Sequence, residues 1–231
     1  MENLLLPSSI TFEKGDHANR GKLVVSPLFH GYGTTVGNAI RRVLLSSLNG
    51  GAVTSMKVKG VAHEFSAIPG VKEDGVEILL NIKQIRLKVF STEPTRLFLK
   101  VKKAGAVTAG DIEANAEVEV MNKDLVLFTV TEAKPNIEIE FMAEQGRGYV
   151  PVEERTVVNT ELGTIAVDAI YTPVVDVGYT VEFTRVGDIT NYEKLTIDIE
   201  TDGTIAPKDA AVTATNILMD HFRLIVDSLG A

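Results

Sequence analysis

The run Gly31-Tyr32-Gly33-Thr34-Thr35-Val36-Gly37-Asn38-Ala39-Ile40-Arg41-Arg42-Val43-Leu44-Leu45-Ser46-Ser47-Leu48, closed by Asn49-Gly50-Gly51, decides the architecture, because it sets one helix between two stretches of sheet. Val36, Ala39, Ile40, Val43, Leu44 and Leu48 recur at the three-and-four spacing of one helix side. The pattern predicts a loop over residues 31–35 with a capping hydroxyl, and a stop at Asn49-Gly50-Gly51. Asn38, Arg42 and Leu45 fall on a different side, so this helix has two faces. Arg41-Arg42 is its most interesting charged pair: the planar guanidinium suits an interface, although surface arginines on helices are ordinary.

Upstream, residues 9–12 and 22–25 read as two strands of a hairpin. Downstream, from Gly51 to about residue 172, short alternating segments such as Met56-Lys57-Val58, Ile85-Arg86-Leu87-Lys88-Val89 and Leu97-Phe98-Leu99-Lys100-Val101 predict a mainly antiparallel sheet. One helix is expected within it, over residues 76–83, with Val76, Leu79 and Leu80 on its apolar face and Lys83 at its end. Beyond residue 172, strands at 179–183 and 194–199 precede a turn at Gly203 and a long helix over residues 207–229, with Pro207 in its first turn.

That last helix carries two apolar faces. Ala210, Ala214, Ile217, Leu218, Leu224 and Ile225 form one, and Val212, Met219, Phe222, Val226 and Leu229 the other. One sheet covers only one of them. About five large apolar side chains left in water would forgo roughly 1.5 to 3 kcal/mol each. The second face therefore implies a partner, or burial inside the chain between the sheet and the first helix. Periodicity leaves both open.

Composition narrows the chemistry. The 231 residues allow one large domain or two modest ones, and 45% hydrophobic with 23% charged residues is the mixture of a globular protein. A net charge of -8 supplies no whole-molecule attraction to phosphate backbones. The absence of Cys removes disulfides, thiolate zinc sites and Cys nucleophiles together, and fits an intracellular protein. Without a signal segment or a run of roughly 20 apolar residues, the expectation is a cytoplasmic protein with no membrane association and no cofactor.

Motifs that mimic catalytic sites are weak. Gly31, Gly33 and Gly37 are not spaced as G-x-G-x-x-G, and no Lys-Ser/Thr follows them. His63-Glu64 lacks a second His, and His17, His30, His63 and His221 show no ligand spacing. Asp198, Glu200 and Asp202 share one strand face and read as a solvated surface. No G-x-S-x-G and no paired carboxylates in a catalytic setting occur. The residues alone favour a binding or structural protein, such as a stand-alone homodimeric adaptor. A small-molecule enzyme using the glycine loop near Gly33 is the weaker alternative.

The run from Gly31 to Leu48 resembles the signature of the alpha-subunit family of bacterial DNA-directed RNA polymerase, which also has plastid homologues. His63-Glu64-Phe65-Ser66, Gly70-Val71-Lys72-Glu73-Asp74, Glu77-Ile78-Leu79-Leu80-Asn81, Gly146-Arg147-Gly148-Tyr149-Val150-Pro151, Val167-Asp168-Ala169 and Thr201-Asp202-Gly203-Thr204-Ile205 match the same family in the same order. The resemblance spans nearly the whole chain. It implies an α+β fold: a discontinuous α/β dimerisation domain, residues 1–50 and 173–231, with an inserted, mainly antiparallel β domain at 51–172.

The resemblance also implies partners. The first and last helices would hold a homodimer through Val36, Ile40, Val43, Leu44, Val212, Met219, Phe222 and Val226. The beta subunit would meet Asn38, Arg41, Arg42, His63, Glu64 and Phe65, and the beta prime subunit Lys83, Val167, Asp168 and Arg185. No residue of this chain would be catalytic: the aspartate-rich magnesium-binding motif of the family's large subunit is absent here. Family members continue into a small helical domain that contacts promoter DNA, whereas this sequence stops at Ala231, so direct DNA contact is not expected of it.

Overall fold

The computed structural model describes residues 5–61, 63–132, 135–155, 161 and 163–230, and the chain divides into two compact units, Met1–Leu48 with Thr172–Ala231, and Asn49–Tyr171. The first unit opens with β1 (Ser9–Lys14), β2 (Arg20–Leu28) and α1 (Tyr32–Ser46). The second runs through β3 (Asn49–Val58), α2 (Gly75–Ile82), β4 (Leu87–Val89), β5 (Thr95–Val101), β6 (Gly105–Thr108), β7 (Val118–Val120) and β8 (Val126–Val130). It finishes with β9 (Ile137–Arg147), β10 (Tyr149–Val150), β11 (Thr164–Ala166) and β12 (Ala169–Ile170). β13 (Val174–Val186), β14 (Ile189–Thr201) and α3 (Pro207–Ser228) then complete the first unit. The fold is α+β, with antiparallel pairing between neighbouring strands in both units.

In the first unit the strands run in the order β1-β2-β14-β13. Period-two alternation puts Leu195, Ile197 and Ile199 of β14 on one buried face with Val25 and Val177. Ile40, Leu44 and Leu48 after and within α1, and Ala210, Ala211 and Ala214 of α3, pack on that face. α1 lies close to the sheet because two of its residues lack side chains. A Cβ on Gly37 would stand 2.8 Å from Leu195 and Tyr179, and one on Gly33 2.8 Å from Val181 and the Glu193 carboxylate. Gly33, which reads as loop in the sequence, thus joins Gly37 in the helix's contact row, and α1 starts at Tyr32. The Thr35 hydroxyl donates back to the Gly31 carbonyl and does not cap the helix.

Two other boundaries differ from expectation. Asn49-Gly50-Gly51 is the start of β3, and the helix has already ended at Ser46. Gly51 belongs in the strand because a Cβ there would collide with Val89 on β4. α3 also breaks the two-face reading. Its first half buries Pro207, Ala210, Ala211 and Ala214, but every residue from Met219 to Gly230 is exposed, so Leu224, at 67%, and Ile225 do not face the sheet. The helix is longer than the surface beneath it.

The second unit is built on β5-β9-β3-β4-β7, with β11 added on β3. Phe128, Phe141, Ile78, Ile82, Leu87, Leu97 and Leu99 are the centre of its core. α2 forms where the apolar pattern predicts a helix, but on another face: Ile78 and Ile82 are buried, whereas Val76 and Leu80 are exposed at 39% and 54%. Apolar residues surround this helix, so periodicity is degenerate. Its rotation is set by Asp74, whose side chain accepts from the Glu77 N–H, and by Asn81, which donates to the Leu127 carbonyl.

Candidate subunit interfaces

The start of α1 is fixed from a distance. Glu193, on β14, is buried, and its two carboxylate oxygens accept from the backbone N–H groups of Gly31 at 2.9 Å and Gly33 at 2.8 Å. His30 stands 3.4 Å from the same carboxylate. A helix N-terminus offers unsatisfied donors and a positive dipole end, and here a tertiary carboxylate satisfies both. The N–H groups that would cradle a phosphate in this loop are therefore occupied by the protein itself. No local sequence signal pairs a glycine loop with an acid 160 residues away.

On the outward side of α1, Asn38, Arg41 and Arg42 are all exposed. They are not equivalent. Arg41 is tied to its own sheet, Nε donating to the Val177 carbonyl at 2.9 Å. Arg42 has no such side-chain partner among the described residues. Of the residues expected at the dimer contact, Ile40 and Leu44 are buried in the internal core of their own unit. Val36 and Val43 are half-buried. Val212, Met219, Phe222 and Val226 are open, Phe222 at 60%, together with Leu224, Ile225 and Leu229.

In the second unit, His63, Glu64 and Phe65 lie on an exposed turn, where the His63 ring shares a hydrogen bond with the Ser66 hydroxyl and Phe65 is 78% exposed. Lys83 and Asp168 are brought together: Nζ to Oδ2 is 2.8 Å, and the other carboxylate oxygen accepts from the Val152 N–H at 2.9 Å. The Lys83 hydrogen bond, then the Val152 N–H, hold the Asp168 carboxyl below the usual carboxylate range. The same hydrogen bond raises Lys83. The side chain of Val167, expected beside them, is in the core, while its carbonyl accepts from Arg155. Arg185 lies in the first unit, near the β13–β14 turn, bonded to the Gly187 carbonyl and paired with Asp188 at 3.4 Å.

Asp198, Glu200 and Asp202 do not converge. Asp198 receives both Arg20 Nε at 3.0 Å and Nη2 at 2.9 Å, and Asp202 accepts from Thr204. Among the described residues, no three acidic or His side chains gather as a metal site, and no helix is long and apolar enough to cross a membrane.

Residues 56–172 match the family described as the RNA polymerase Rpb3/RpoA insert domain, and residues 155–222 match the RNA polymerase Rpb3/Rpb11 dimerisation domain. The chain is 46% identical over 220 residues to the DNA-directed RNA polymerase subunit alpha of Oceanobacillus iheyensis, covering 95% of this chain and 70% of that protein. Identity to the subunit of the same name from Alkaliphilus metalliredigens is 47% over 221 residues, with the same two coverages of 95% and 70%. With that of Moorella thermoacetica it is 49% over 206 residues, covering 89% and 66%.

Proposed function

The chain belongs to the alpha-subunit family of DNA-directed RNA polymerases, and on that premise we propose that it is a homodimeric scaffold on which the beta and then the beta prime subunit assemble. The carrying observation is the distal half of α3, where Met219, Phe222, Leu224, Ile225, Val226 and Leu229 are all exposed. Burial of each is worth roughly 1.5 to 3 kcal/mol, so the segment is stable as a helix chiefly when a second surface covers it. A second copy, aligned by twofold symmetry, supplies that surface from its own α1 and α3.

The chemistry of the chain in this role is recognition, and nucleotide transfer belongs to the large subunits. In the first unit Arg42, with Asn38 beside it, is a beta contact that Arg41 supports from its anchor on Val177, and in the second unit the turn of His63, Glu64 and Phe65 is another. Lys83, Asp168 and Arg185 belong to the beta prime side, where Val167 serves by holding the backbone next to Asp168. The insert and dimerisation domains correspond to residues 51–172 and to 1–50 with 173–231.

Stepwise reconstitution tests the reading. The purified chain should run at twice 25.0 kDa, bind beta without beta prime, and recruit beta prime only after beta. A persistent monomer at micromolar concentration would sink the dimer, and a dimer that binds neither large subunit would leave only the adaptor reading.

A further inference from the structure

Two neighbouring concavities on the Asn49–Tyr171 unit share Lys100, and their charges are arranged in opposite ways. The larger, of about 520 Å³, is lined by Lys57, Lys59 and Lys100 together with Glu113, Glu138 and Glu140. Each cation there has a carboxylate: Lys59 Nζ lies 2.9 Å from Glu138, Lys100 Nζ 3.0 Å from Glu113 and Lys57 Nζ 2.7 Å from Glu161. Arg96 reaches Glu140 at 2.8 Å. This closed lattice has no charge left over for a ligand and is an ordinary solvated sheet face.

The smaller concavity, of about 390 Å³, lies against the turn between β5 and β6 and is cationic. Lys100, Lys102 and Lys103 line it, and Asp111 is its one carboxylate among the described residues. Asp111 Oδ2 already accepts from the Thr108 N–H at 2.7 Å and from the Thr108 hydroxyl at 3.1 Å. Lys102 and Lys103 are exposed and make no ion pair or side-chain hydrogen bond among the described residues. The backbone N–H groups of Lys102, Lys103 and Ala104 donate no hydrogen bond there either. Gly105 closes the turn at φ 127°, a bend that a side chain at this position would strain. The lysines act on one spot: the Glu138 carboxyl, held below the usual range first by its hydrogen bond to Lys59, is lowered further by Lys100 and Lys102.

Three ammonium groups around one hollow repel one another, and a dense anion relieves that repulsion where water only screens it. An ammonium is a compact point charge, which suits the closely spaced charges of a phosphate chain, and free backbone N–H groups add donors to it. The volume falls at the low end of the range for small-molecule sites. The rest of the lining is Val101, Ala104, Ala106 and Val107, with no aromatic ring on which a base could stack. We infer that the β5–β6 turn is a binding site for the di- or triphosphate group of a small molecule, held by Lys100, Lys102 and Lys103 and by the free N–H groups of the turn.

The test is a calorimetric titration of the full chain with inorganic tripolyphosphate in buffer freed of divalent cations, with sulfate at equal ionic strength as the comparison. Tripolyphosphate should bind about tenfold more tightly than sulfate, or better. Lys102→Gln with Lys103→Gln should weaken that binding by about tenfold or more and leave the melting curve of the free chain unchanged. Lys57→Gln with Lys59→Gln, in the balanced concavity, should bind within about twofold of the unaltered protein. Binding no tighter than that of sulfate, or binding that the Lys102 and Lys103 double variant retains, overturns the site. Equal weakening by both double variants overturns it too, because the protein's overall charge is then what the anion reads. A single-stranded oligodeoxynucleotide that competes at a lower phosphate concentration than tripolyphosphate assigns these lysines to a nucleic-acid backbone and overturns the small-molecule ligand.

Discussion

Two adjacent arginines show how little a residue type says until its hydrogen bonds are known. Arg41 and Arg42 are consecutive and both exposed, yet only Arg41 reaches a carbonyl of its own sheet. Arg41→Ala should lower the unfolding free energy by about 1 kcal/mol, the usual range for a partly exposed charge-assisted bond. Arg42→Ala should leave melting unchanged and weaken beta binding at least tenfold; normal beta binding would remove Arg42 from the interface. Lys83 and Asp168 give a pH signature. The folded Asp168 carboxyl titrates below its ordinary value, so its contribution is complete above the ordinary carboxylate range and is lost as pH falls through the depressed folded value. Asp168→Asn should therefore be less stable than the unaltered protein at pH 7, by about 1 to 2 kcal/mol. That gap should close in acid, below about pH 4; a gap of constant size down to pH 3 would assign the loss to something other than the carboxylate's charge. The family motif located this pair but not the buried side chain of Val167 beside it, since sequence matching does not report which of three adjacent residues points inward.

Each helix of this chain was legible as a helix, and each was misread on a different count. α1 lost its first turn because Gly31 and Gly33 signal a loop in sequence, while in three dimensions Gly33, like Gly37 one turn on, provides the room for close packing on β13 and β14. α2 has so many apolar residues that several stripes fit it, and only the Asp74 cap and the Asn81 bond choose among them. Ile78→Ala should cost about 2 to 4 kcal/mol, and Val76→Ala within about 0.5 kcal/mol of nothing; equal costs in a denaturant titration would restore the stripe first expected. On α3 the face from Ala210 to Ile225 was read as one continuous stripe, because periodicity carries no information on where a sheet ends. Phe222→Ser should weaken the dimer by roughly 3 to 6 kcal/mol, the loss counted once per copy, and leave the melting of the diluted chain unchanged. Sedimentation that still shows a tight dimer would place the contact elsewhere.

At the scale of the molecule, each unit closes its own core, one around Leu195 and Ile197, the other around Phe141 and Phe128. Damage should therefore stay local. Phe141→Ala should destabilise the Asn49–Tyr171 unit by about 3 to 5 kcal/mol and spare dimerisation, which chemical crosslinking at low temperature would report; parallel loss of the dimer would show the two cores to be one cooperative system. The compact units divide between Leu48 and Asn49 and between Tyr171 and Thr172; in the sequence the short alternating segments begin near Gly51 and are expected to end at about residue 172. The carboxylate that secures the first turn of α1 was not visible, because it is supplied by β14, and this bond has a consequence for synthesis on the ribosome. The residues of α1 emerge early, but their anchor emerges some 160 positions later, after the intervening unit has been made. Elongation at about 5 to 20 residues per second puts roughly 8 to 32 seconds between them. Until then the helix lacks both β14 and its anchor, so a nascent chain withholds its pairing surface from neighbours on the same message until β14 has emerged.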